Sequence, residues 1–126
     1  MPSDAVPGNS LVRMIVSPTI WAVHFLLCYI VAAVYCAKIG PPAVDLAPVR
    51  AWVALVTLIA LAGIATSGLR AVRRGRFDAG GRAPHDADTI DDRRHFLAYA
   101  TLLLSGLSFV ATLYVAMAAV FVETCR

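Results

Sequence analysis

The sequence predicts an all-α integral membrane protein, a three-helix bundle threaded with its N-terminus in the cytoplasm and its C-terminus outside. Three observations lead there. Of the 126 residues 60% are hydrophobic and only 15% charged, with a mean hydropathy of +0.74, well above ordinary soluble usage. Three stretches, Met14 to Ala37, Ala51 to Leu69 and Phe96 to Val122, hold no Asp, Glu, Lys or Arg and run for 24, 19 and 27 residues. Finally, seven of the eleven basic residues fall in one connection, between Arg70 and His95.

A spanning helix needs about 18 to 20 apolar residues to cross a core of ~30 Å. At ~1.5 Å per residue the three stretches reach roughly 36, 28 and 40 Å, so the first and third have length to tilt while the second barely spans. Strands are excluded, because an open sheet in lipid leaves unpaired edges and the chain is too short for an ordinary closed barrel. So little polar sequence remains that a soluble active site, a nucleotide-binding domain and a nucleic-acid reader are excluded with them. The formal charge of +3 therefore calls for a membrane explanation.

The elements follow in order along a single membrane domain. Ser17 before Pro18 reads as an N-cap with proline at the first helical position, so the first span is expected over 17–37, with Leu11 to Val16 as a short interfacial segment. It reads as a retained helix rather than a secretory signal: only Arg13 precedes it, the uncharged run exceeds an ordinary signal core, and Tyr35 stands before Cys36 where a lipoprotein signal needs a small residue. The connection from Lys38 to Arg50 contains Gly40, Pro41, Pro42 and Pro48, the makings of a stiff turn. The second span is expected over 51–69 and the third over 96–122. Between them lies an Arg-rich loop, 70–95, that loosens at Gly75 and at Gly80-Gly81. Asp88 or Thr89 is placed to cap a helix that starts in water and continues as the third span.

Orientation comes from Arg70, Arg73, Arg74, Arg76, Arg82, Arg93 and Arg94. Lysine and arginine are retained on the cytoplasmic side, which puts this loop and Arg13 inside and leaves Lys38, Arg50 and Arg126 outside. The expected address is a bacterial inner membrane, crossed three times. Beyond setting topology, the cluster Arg70 to Arg76 attracts anionic headgroups, so membrane lipid is an expected partner and nucleic acid is not.

On a 100° wheel with His24 at zero, Ser17 falls at about +20°, Cys28 at +40°, Trp21 at +60° and Tyr35 at +20°. Polar side chains in a bilayer turn toward protein rather than lipid, so this stripe is the expected interaction face. For His24 three roles are open: a neutral imidazole that fixes helix packing, a ligand of haem or copper with Cys28 one turn away, and a proton relay. Haem b held between two histidines is disfavoured because His95 lies at the membrane edge and His24 about two turns inside. On the third span Thr101, Ser105, Ser108 and Thr112 recur at spacings of four, three and four, extended by Ala116 and Ala119; the second adds Ala60, Gly63 and Ser67. Small and hydroxyl residues so spaced let helices approach and hydrogen-bond. The alternative is a polar solute path, which lacks a carboxylate inside any span.

His85, Asp86, Asp88, Asp91, Asp92 and His95 match neither a calcium loop nor a zinc signature, and alternating Arg and Asp reads as a solvated segment, so no metal site is expected there. Cys36 and Cys125 both fall at the outer, oxidising side while Cys28 is mid-bilayer. A Cys36–Cys125 disulfide, free thiols, and metal or intermolecular roles all remain open. Taking Arg13 and Arg94 as level puts Cys36 about 34 Å up and Cys125 about 46 Å, too far for a bridge unless the third helix starts in the cytoplasm or its end folds back.

Ser17-Pro18 followed by Trp21-Ala22, His24-Phe25 and Tyr29, a cysteine ending the first span, an Arg-rich middle loop, and Leu104-Ser-Gly-Leu-Ser108 before Cys125 resemble a family. It consists of small three-span proteobacterial membrane proteins associated with gene clusters for haem-copper cytochrome c oxidases and their copper-delivery assembly factor. The resemblance implies a non-catalytic accessory subunit or assembly factor of such an oxidase, with an integral-membrane partner, no enzymatic activity of its own and no cofactor of its own. It marks Trp21, His24, Tyr29, Cys36 and Cys125 as positions to test. Two alternatives belong to other classes: a haem b-binding membrane anchor or electron-transfer subunit using His24, and a small transporter component.

Overall fold

The computed structural model describes residues 7–39, 45–78, 90–122 and Cys125. The described residues form three helices: α1, Pro7–Ile39; α2, Ala47–Asp78; and α3, Ile90–Phe121. Each packs on both others. Within them lie apolar spans Leu11–Lys38, Ala47–Arg74 and His95–Phe121, of 28, 28 and 27 residues with mean hydropathy 2.1, 2.0 and 2.0, each about 40 Å long. This is an all-α, multi-pass membrane bundle.

Cross-contacts fix the directions. Ser17 meets Ser105 and Cys36 meets Cys125, so α1 and α3 run the same way. His24 meets Thr57 while Ile20 meets Gly63, so α2 runs against them. The buried line of α2 is Val49, Val53, Thr57, Ala60, Ile64, Gly68 and Ala71, at spacings of four, four and three that repeat every eleven residues. That rhythm, about 3.67 residues per turn, is close to the 3.6 of a straight α-helix and so keeps one seam facing the neighbouring helices along the length of α2. Two glycines on α2 allow close approach: a Cβ at Gly68 would lie 3.2 Å from Ser105 Cβ, and one at Gly63 3.3 Å from Ile20 Cδ1.

All three helices begin before their expected spans, and α1 and α2 also run past the expected ends. Ser17 is not an N-cap and Pro18 is not a first helical position, because α1 starts at Pro7 and runs through both. Proline inside a helix removes the donor for Met14 O, and spanning helices tolerate such prolines; Thr19 Oγ1 donates to the adjacent carbonyl, Ile15 O, at 2.6 Å. Leu11 to Val16 is therefore continuous helix with the rest of α1. α2 starts four residues before the expected span because Asp45 Oδ1 accepts from Ala47 N at 3.0 Å, an acidic cap with Pro48 in the first turn. At its other end α2 carries Arg70, Arg73 and Arg74 outward on extra helical turns, and Arg93 and Arg94 are in the first turns of α3. The described parts of the Arg-rich 70–95, residues 70–78 and 90–95, are thus helix rather than loop. Arg82, His85, Asp86, Asp88 and Thr89 lie outside the described residues, as do Pro41 and Pro42.

Candidate functional site

Polar side chains converge inside the bundle. On α1, Ser17, His24 and Cys28 are buried, with His24 only 2% exposed; on α2 it is Thr57; on α3 they are Thr101, Ser105, Ser108 and Thr112. Two hydrogen bonds cross between helices at this seam. Ser17 Oγ and Ser105 Oγ are 2.8 Å apart, joining α1 to α3. His24 Nε2 lies 2.9 Å from Thr57 Oγ1, joining α1 to α2.

The second contact fixes the imidazole's tautomer. A threonine hydroxyl has one proton, and Thr57 gives it to Val53 O at 2.6 Å. Its oxygen can then only accept, so His24 Nε2 carries the hydrogen it donates. Cys28 Sγ, 3.5 Å from the same nitrogen, faces a proton already directed at Thr57. In the neutral ring the Nδ1 lone pair remains; Nδ1 is buried without a hydrogen-bond partner, and so is the indole N–H of Trp21 one turn earlier.

Other expected residues divide. Trp21 and Tyr35 are half-buried, and the Tyr35 hydroxyl donates to Asp45 O at 3.3 Å, tying the end of α1 to the start of α2. Tyr29 is not in the seam: it is 64% exposed and faces away from the core. On α3 the hydroxyls are buried, but Thr101 donates to Leu97 O and Thr112 to Ser108 O, within their own helix. Ser67 does the same with Gly63 O. Interhelical bonding from these three is therefore corrected to backbone bonding, the habit of Ser and Thr inside helices.

Nothing matches this chain among known protein families, curated proteins or solved structures. Its chemistry is read from its own residues.

At the end of the bundle opposite Arg70, Arg73 and Arg74, Cys36 and Cys125 are joined in a disulfide with Cα atoms 5.6 Å apart. The expected mismatch in height came from taking Arg13 and Arg94 as level. Ser17 and Ser105 are the level pair: counted from them at ~1.5 Å per residue, Cys36 rises about 29 Å and Cys125 at most about 30 Å. Arg94, by the same ruler, lies about 10 Å below Arg13, because α3 begins well outside its apolar span. Cys28 is a free, buried thiol. Around the bridge, Cys28, Leu46, Val49 and Val53 form an apolar cluster that Trp52, Val115 and Ala119 cover.

Among the described residues no three His, Cys, Asp or Glu side chains gather as a metal site, and most of the stretch His85 to Asp92 is outside them. Sequence reasoning missed Thr57 and Asp45. Asp45-Leu-Ala-Pro48 carried a readable cap signal. Thr57 carried a weaker one, as the one hydroxyl residue between Ala51 and Ile64 on the second span.

Proposed function

We propose that this chain is a non-catalytic accessory subunit or assembly factor of a membrane respiratory complex, of the haem-copper cytochrome c oxidase type to which its motifs point, and that it acts by helix association in the plane of the membrane. The observation supporting this is the use of its inward polar groups. Ser17, Ser105, His24 and Thr57 hold helix to helix, while Thr101 and Thr112 hold their own backbone. Such a seam favours a scaffold with one arrangement, and leaves the outer faces for neighbours.

The orientation proposed is N-in, C-out in a bacterial inner membrane. Two independent signals support it: the disulfide end suits an oxidising compartment, and the opposite end bears the arginines that stay with the cytoplasm. Reporter fusions at Arg82 and after Arg126 test this, the first expected to read cytoplasm and the second the exterior. The partner is tested by isolating the tagged full chain in mild detergent and identifying what accompanies it. Oxidase subunits at constant stoichiometry are expected; their consistent absence overturns the oxidase assignment.

One observation favours a second reading, haem or metal ligation by His24. Its Nδ1 lone pair is buried and unbonded, while Nε2–H is held by Thr57 as a ligating histidine's second nitrogen commonly is held. A Soret band in the purified protein, lost in His24→Ala, would establish it.

A further inference from the structure

On α1, Trp21, Phe25 and Tyr29 form a column of rings, with centroids 6.3 and 6.4 Å apart. Which side of the bundle this column faces follows from the cross-contacts. Ile20, at about −40° on the wheel, touches Gly63 of α2, whereas Ser17, at about +20°, bonds Ser105 of α3. Positive angles on α1 therefore turn toward α3. Tyr29 falls at about +140°, outward on the broad face that α1 and α3 share. Because α3 runs parallel to α1, its wheel turns in the same sense and its negative side faces α1. Taking the fully buried Thr112 as zero, Tyr114 falls at about −160°, and it is 68% exposed. Both phenols thus leave the bundle on one face.

They also share a depth. From the level pair Ser17 and Ser105, Tyr29 is twelve residues on and Tyr114 nine, about 18 and 13.5 Å. The difference, about 5 Å, is shorter than a tyrosine side chain. Lys38, at the end of the α1 span, is about 14 Å beyond Tyr29. Helical side chains lean toward the N-terminus, here away from Lys38 and into the hydrocarbon interior; the stacking of Tyr29 on Phe25 is consistent with that lean. Neither hydroxyl makes a hydrogen bond among the described residues. Acyl chains cannot supply one, and each phenol is both donor and acceptor.

We propose that a second copy of this chain covers the face, in a parallel two-fold dimer in which Tyr29 of each copy hydrogen-bonds Tyr114 of the other. Two copies inserted in the same direction present the two phenols at matching depth, and two-fold symmetry makes the contact twice. The ring column of one copy then lies against α3 of the other. This dimer does not depend on the accessory role, and an oxidase partner could be absent with the dimer intact.

The test is energy transfer between labelled copies of the full chain in phospholipid vesicles, followed as lipid dilutes protein. Wild type is expected to dimerise. An interhelical hydrogen bond in lipid changes association about threefold, so losing both should weaken the dimer about tenfold. Tyr29→Phe and Tyr114→Phe should each do this, and the double variant should do no more, because each bond needs both hydroxyls. A photoreactive residue at position 29 should cross-link to α3 of a second copy; one at Leu58, outward on α2, should not. Retention of the Cys36–Cys125 bridge in each variant shows that the fold survives. A monomer at every dilution, a Tyr29→Phe variant that associates like wild type, multiplying effects in the double variant, or cross-links from position 29 to lipid or to another protein only in native membranes would each overturn the dimer.

Discussion

At the Cys36 end the bundle closes on Cys28, Leu46, Val49 and Val53 around a covalent bridge; from the middle toward Ser17 it closes on hydroxyls, an imidazole and glycines. The difference reflects the solvent. Lipid tails are as apolar as valine, so an apolar contact between spanning helices gains packing but no hydrophobic drive. The Cys36 end is apolar and is tied by a bond. The Ser17 half has no bond of that kind and is held by polar contacts and close backbone approach. Separating the two halves experimentally should therefore show one large effect and several small ones.

Breaking the bridge should give the largest. Reduction, or Cys36→Ser, is expected to destabilise the bundle by about 2 to 4 kcal/mol, read by unfolding in mixed micelles of increasing SDS, with loss confined first to the apolar end. If the Ser17 half loosens first, the division drawn here is wrong. Next comes Gly68→Val, whose Cβ would meet Ser105 Cβ at 3.2 Å; overpacking of this kind costs about 1 to 3 kcal/mol. Gly106→Ala is its control, since nothing lies within 4 Å of a Cβ there, and the same titration should show no loss.

Smaller effects sharpen the polar half. Thr57→Val removes the acceptor of His24 Nε2–H and should cost about 1 to 2 kcal/mol, with a change in the ¹⁵N resonance of His24 Nε2 that a purely steric role for Thr57 would not produce. Smallest is the contrast along α3: Ser105→Ala loses a cross-helix bond and about 0.6 kcal/mol, whereas Thr112→Val loses only a bond to its own helix and should be indistinguishable from wild type. Equal effects at the two positions would show that the hydroxyl line acts as one unit.

Much of the seam was legible because periodicity survives folding. The α3 spacing from Thr101 to Thr112 and the α1 stripe through Ser17, His24 and Cys28 are buried as the wheels place them. What the wheels could not tell was who bonds whom. Thr101 and Thr112 satisfy their own helix, while Ser105, of identical appearance in the pattern, reaches Ser17. Local signals misled where tertiary contact outweighed them: Ser17-Pro18 has the composition of a helix start, but the Ser17 hydroxyl faces α3 and the helix continues through. On α2 Ala60 is on the buried line but Gly63 and Ser67 stand one step off it, since an almost wholly apolar helix offers little contrast between faces.

Composition and runs of uncharged residues determined that this chain crosses a membrane three times as helices, because each backbone polar group in lipid must be satisfied within its own segment and that requirement is local. The vertical register between helices was decided only in three dimensions. Between α1 and α3 it is marked by the pairing of Ser17 with Ser105, in the register where Cys36 meets Cys125 and Tyr29 stands near the level of Tyr114; between α1 and α2 it is marked by His24 on Thr57. Sliding one apolar helix along another changes little that a sequence records, and it is the few polar and covalent contacts across the seam that choose the level.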